Sequence, residues 1–231
     1  MNRIMLAALA LTATAPAQAA ERRYTVTDFD RIRVDGPFVV TLATGKSPSA
    51  TASGGSRALE RVAIDVEGRT LRISPNRSAW GGYPGEQRGP VEIVVTGHDL
   101  RAASVNGSGR LVIDEVEAMR FDVAVTGSGG LEVARVAADN LFVSLLGSGR
   151  IAVGGAAEKL TAAISGSGDF DARALTVEQA EVNADTAGTI AVTVTETVEV
   201  NATGSGDTTI HGSPDCDVSA RGIGRVVCGD E

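Results

Sequence analysis

The sequence predicts an all-β fold: a parallel β-helix, a solenoid with coils of 18 to 20 residues, expected to be right-handed. Three observations carry this expectation. A Gly-Ser-Gly triplet or a variant of it opens at Gly107, Gly127, Gly147, Gly166, Thr186, Gly204 and Gly222, in steps of 20, 20, 19, 20, 18 and 18 residues, and a fixed period of that size marks stacked repeats. Apolar residues alternate with others on both sides of the triplet, as in Leu141, Val143 and Leu145 before Gly147 and Ile151 and Val153 after it. Period two belongs to strands with one buried face, and a helix does not produce it. Aromatic residues make up only 3% of the chain, so the interior is built from Val, Ile, Leu and Ala, which suits a narrow solenoid.

A coil of this length holds two short strands and their corners, and it cannot bury its inner face alone; stacking supplies the burial. The structural corners are Gly107 and Gly109, Gly127 and Gly129, Gly147 and Gly149, Gly166 and Gly168, and Gly204 and Gly206. Glycine fits where the chain takes positive φ or packs its backbone against the next layer. The corner serines, such as Ser148, are expected to form a ladder whose hydroxyls satisfy corner backbone groups. Seven coils about 4.8 Å apart predict a rod of roughly 30 to 35 Å. A calcium-binding nonapeptide repeat does not fit, because the glycine cluster comes once per coil and Asp follows it only at Asp169 and Asp207.

Taken in order, residues 1–19 read as a secretory signal peptide: Asn2 and Arg3, an apolar run over 4–11 too short to span a membrane, and the small-residue pattern Ala17-Gln18-Ala19. Loss of Arg3 with this leader takes the formal charge from −8 to −9. An acidic chain has no basic surplus to displace counterions from phosphates, which excludes a nucleic-acid partner. Residues 20–28 form a lead-in and 29–229 a single β-helical domain. Ile32, Val34, Phe38, Val40 and Leu42 alternate as a first coil, and residues 56–61 read as a short helix N-capped by Ser56. Val62, Ile64 and Val66 alternate up to a turn at Gly68, and Leu71 and Ile73 follow it. Residues 76–90 break the pattern, and Trp80 and Tyr83 there are candidates for a ligand-contacting loop. No further segment is apolar enough to span a membrane.

The search for chemistry finds no catalytic set, no metal site and no cofactor motif. His98 and His211 stand apart from any Cys or carboxylate pattern of ligand spacing. Asp169 and Asp171 share parity, and Asp207 repeats the place of Asp169 two coils later. Glu181, Glu199 and Asp217 each lie five residues before a corner, which predicts a column of like charges and a candidate weak cation site. Ser144, Ala163, Asn183, Asn201 and Ser219 predict a flat outer strip of small side chains, with the Asn183 and Asn201 amides bonded to one another along the rod. Cys216 lies six residues before Gly222 and Cys228 six after it, both at inward parity, which predicts a disulfide closing the last coil.

Phe29-Asp30-Arg31-Ile32-Arg33-Val34-Asp35-Gly36-Pro37-Phe38-Val39-Val40, the glycine at Gly45 and the Gly-Ser-Gly coils resemble the bacterial family described as "putative autotransporter adhesin, head GIN domain". The resemblance covers residues 29–228. It implies a secreted β-helical domain and transfers no catalytic residues. The functional expectation is a secreted or periplasmic binding or structural module of the cell envelope, adhesin-like, whose partner is a cell-surface glycan or an envelope protein, with homo-oligomer formation left open. The alternative is a carbohydrate-active enzyme, a polysaccharide lyase or hydrolase using surface carboxylates, which needs a cleft lined by converging charged groups.

Overall fold

The computed structural model describes residues 20–76 and 91–229. One sheet of 16 strands winds through them as a β-solenoid. The entry region contains β1 (Ala20–Tyr24), β2 (Arg31–Asp35), β3 (Val39–Ala43), β4 (Ser49–Gly54), helix α1 (Ser56–Leu59), β5 (Val62–Glu67), β6 (Thr70–Pro75) and β7 (Glu92–Thr96). The coils follow as β8 (Ala102–Gly107), β9 (Arg110–Gly127), β10 (Gly130–Gly147), β11 (Arg150–Gly166), β12 (Asp169–Thr186), β13 (Ile190–Ala202), β14 (Thr208–His211), β15 (Asp215–Ala220) and β16 (Val226–Cys228). Seven corners delimit six intervals, and the solenoid makes about six turns rather than seven.

Strands β9 to β12 are bent, and the bends are visible as slips in the inward alternation. In β10 the buried residues are Leu131 and Val133, then Val136, then Leu141, Val143 and Leu145. A flat strand keeps one parity throughout, so each slip marks a change of direction. Each coil therefore has three faces where the two-strand reading expected two; the short middle face around Val136 has no turn residue in its own coil, though Gly155, its register partner, takes φ of 113°.

Neighbouring coils pair parallel and in register, so like stacks on like: Leu131 lies between Leu111 and Ile151, and Leu141 between Phe121 and Leu160. Each inward side chain is thereby covered above and below, and all six of these are at most 2% exposed. Coils of unequal length stay in register by absorbing the difference at the bends. Val133 pairs with Val153 but Val136 with Gly155, and Ala172 pairs with Val192 but Thr176 with Thr193.

At the corner the backbones of successive coils nearly touch. Gly127 has φ of 111°, and a Cβ there would lie 2.7 Å from the Gly107 carbonyl oxygen, closer than carbon and oxygen can pack. Ser128 N–H donates to Gly107, Ser148 to Gly127 and Ser167 to Gly147, at 3.0, 2.9 and 2.8 Å. The ladder expected of the serine hydroxyls thus runs through the serine backbone.

The two ends differ. The N-terminal end is closed by antiparallel pairing, β1 on β4, β4 on β7 and β5 on β6, with Leu59 of α1 buried beneath. Gly55, not Ser56, is the N-cap, and no side chain caps the helix. At the other end β15 pairs with β13 and β16 with β14. No helix among the described residues is long and apolar enough to cross a membrane.

Candidate functional site: a groove along the second bend

The bend between the middle and third faces carries a small residue in three successive coils and an acidic residue just after it in the last two of them. Ala118, Ala138 and Ala157 are in register across β9, β10 and β11. Their methyl groups leave a depression where larger side chains would fill the bend. The positions that follow are Met119, Asp139, Glu158 and Glu178, one per coil, so the carboxylates are spaced by about one inter-strand step of 4.8 Å. The result is an open groove of about 1390 Å³.

Its charge is polarised along the rod. Arg31, Arg101 and Arg120 line the end nearest the N-terminal region together with Asp99, Glu117 and Asp122, and Asp139, Glu158 and Glu178 continue away from them with no basic residue in that part of the groove's lining. Arg120 is held in place: its Nη2 lies 2.9 Å from Asp122, and its guanidinium sits 4.1 Å from the centre of the Phe142 ring. Met119, 79% exposed, stands beside it at the lip. Sequence reading singled out no residue here, and the flat strip it expected, from Ser144 to Ser219, is not part of the groove's lining. The available signal was the recurrence of Ala138-Asp139, Ala157-Glu158 and Val177-Glu178, which acquires meaning only when the bends are known.

The other singled-out residues fall elsewhere. Asp169 accepts from the Thr189 N–H at 2.9 Å and its hydroxyl at 2.8 Å, and Asp207 accepts from the Arg225 N–H at 3.0 Å. Both tie one coil to the next, and the Thr189 bonds hold the Asp169 carboxyl below its ordinary range. Asp171 accepts from Arg173 at 2.7 and 2.9 Å and from Arg150 at 3.3 Å. The Arg173 bonds lead in lowering its pKa to about 2. These pairings make the three aspartates fasteners of the coil faces.

Glu181, Glu199 and Asp217 do align, each opposite the next in register. They line a smaller depression of about 390 Å³ together with Lys159. No three His, Cys, Asp or Glu side chains among the described residues come together as a metal site. Asn183 and Asn201 are likewise register partners, but their amides donate to Glu181 and Glu199 on their own strands, both at 3.1 Å, instead of to each other. A carboxylate two residues away on the same face is a stronger acceptor than a neutral amide. Cys216 and Cys228 are joined in a disulfide, with Cα atoms 6.6 Å apart. Trp80, Tyr83 and the signal peptide lie outside the described residues.

Comparison with known proteins places this geometry. The solenoid is similar to a "putative adhesin" from Bacteroides fragilis, 21% identical, with a TM-score of 0.83 over 92% of this chain and 97% of that one. It is also similar to a "putative lipid binding protein" from Parabacteroides distasonis, 24% identical, TM-score 0.72, over 92% and 97%. A "putative adhesin" from Parabacteroides distasonis follows at 21% identity, TM-score 0.68 and the same coverage. No curated protein matches the sequence. The family model described as "Putative auto-transporter adhesin, head GIN domain" matches residues 28–214, and the chain belongs to that family.

Proposed function

We propose that this protein is an adhesin-like binding module of the cell envelope, and that the groove along the second bend holds an extended ligand. One observation carries the reading: small side chains floor a groove that runs across several coils, with arginines interleaved with carboxylates at one end and carboxylates alone beyond. Charges of both signs along one line match a polypeptide segment that itself carries both signs, which favours an envelope protein over a neutral glycan. The groove also supplies the converging charged groups that the alternative carbohydrate-active reading requires. Against that alternative, the most strongly bonded carboxylates, Asp169 and Asp171, are committed to coil contacts.

Export supports the same reading. A leader cut after Ala19 would deliver residues 20–231 to the periplasm or beyond, and a disulfide suits an oxidising compartment. N-terminal sequencing of the exported protein tests the cleavage.

The groove itself is tested by measuring adhesion of the purified protein to intact cells and isolated envelope protein, alongside a glycan array and a polysaccharide-cleavage screen. Ala156→Arg fills the groove and Glu158→Lys reverses its acidic end. Each should weaken adhesion about tenfold or more, a loss of about 1.4 kcal/mol. Unchanged adhesion in both folded variants would remove the groove from the function, and polysaccharide cleavage would establish the enzyme.

A further inference from the structure

Among the described residues no coil covers the one built from β15 and β16. Val218 is the register partner of Val200 and faces inward with it, yet Val200 is fully buried and Val218 is 40% exposed. Cys216, Val226 and Cys228 are half-buried around it. Among the described residues β15 pairs only with β13, and β16 only with β14, so each presents one free edge. A free strand edge beside open apolar surface is a template for another strand.

We propose that this end joins the same end of a second copy, with β15 pairing antiparallel to its mate about a twofold axis at Val218. Hydrogen bonding sets which residues bond across the edge, and charge sets the register. The Arg221 N–H donates to Ala202 at 2.8 Å, within the solenoid. Backbone groups alternate in direction along a strand, so those of Cys216, Val218 and Ala220 point to the free edge. In an antiparallel pair these residues exchange hydrogen bonds, and the residues between them face one another at the shorter separation.

Centred on Val218, this places Cys216 opposite Ala220, Asp217 opposite Ser219 and Asp215 opposite Arg221. Asp215 and Arg221 share the outer face by parity, and neither has an ion-pair partner among the described residues. The twofold makes the Asp215–Arg221 pair twice. Moving the axis to Asp217 would set two carboxylates face to face, which is unfavourable. On the inner face Val218 meets its mate, and each copy closes the other's core. The rod doubles in length and carries two grooves, so a surface with repeated ligands would be held with avidity. The pairing rests on the free edge and not on the assignment of the groove.

Sedimentation equilibrium on the exported, disulfide-bonded protein over a concentration series tests the pairing. The expected result is a reversible dimer. Arg221→Glu and Asp215→Arg, each setting like charges opposite, should weaken it by about tenfold or more, and the double variant Asp215→Arg/Arg221→Asp should restore it. Circular dichroism identifies any variant that fails to fold; hydrogen exchange on the unmodified protein then decides, with protection at Cys216, Val218 and Ala220 rising with concentration. A monomer throughout the series, a dimer indifferent to Arg221→Glu, or no restoration by the charge exchange would each overturn the proposal.

Discussion

The Ser148 N–H donates to the carbonyl oxygen of Gly127 in the preceding coil at 2.9 Å, and a Cβ on Gly147 would lie 2.5 Å from that same oxygen. The hydrogen bond that holds the corner together is the reason the residue beside it has no side chain. Gly147→Val must break the bond or push the coils apart, and at φ of 121° valine is strained in addition. It should cost more than about 3 kcal/mol, whereas Ser148→Ala keeps the backbone bond and should cost less than about 1 kcal/mol. Urea denaturation of the two variants checks this, and equal midpoints would refute the close-approach account.

Asp171 gives stability a definite acid limit. Its carboxyl, bonded by Arg173 and Arg150, titrates at about 2 instead of 3.8. A carboxylate with a depressed pKa stabilises the fold above its unfolded value, and the contribution fades as pH falls through the folded one. The stability gap between the native protein and Asp171→Asn should therefore be full above pH 3.8 and closed near pH 2. Denaturation curves across that window measure it, and a gap independent of pH would mean the ion pairs are not the source.

The disulfide ties β15 to β16, which no further coil covers among the described residues. Its cysteines are 12 residues apart in sequence, and closing a loop of that size stabilises by about 3 kcal/mol in the chain-entropy model. The Cys216→Ser/Cys228→Ser variant should lose about that much, with hydrogen exchange rising first in β15 and β16. Uniform exchange across the coils would show that the bridge does not act locally.

Glu199 sits between Glu181 and Asp217 in register, so it faces two like charges at once. Glu199→Gln removes both repulsions and should raise stability by about 0.5 kcal/mol at low salt. The gain should vanish at high ionic strength, where exposed charges are screened. A gain that persists in high salt would assign the effect to hydrogen bonding instead.

Period and alternation are local properties, so the sequence by itself determined the solenoid, the length of its coils and which side chains point inward. Leu131, Val133, Leu141 and Val143 needed no partner to declare their parity. What lies at the bends is not local. The middle face around Val136 appears in its own coil only as a slip in parity, and the one glycine pair that marks the same bend, Gly154-Gly155, lies in the next coil. Whether Ala138 meets Ala118 and Ala157 depends on where a coil of 20 residues absorbs its one extra residue against a coil of 19, which the stacking of whole coils decides. The groove, with Arg120 at one end and Glu178 at the other, therefore exists only in the tertiary structure. So do the choice of Glu181 over Asn201 as the acceptor for Asn183 and the exposure of Val218, because acceptor competition and packing are facts of three-dimensional neighbourhood.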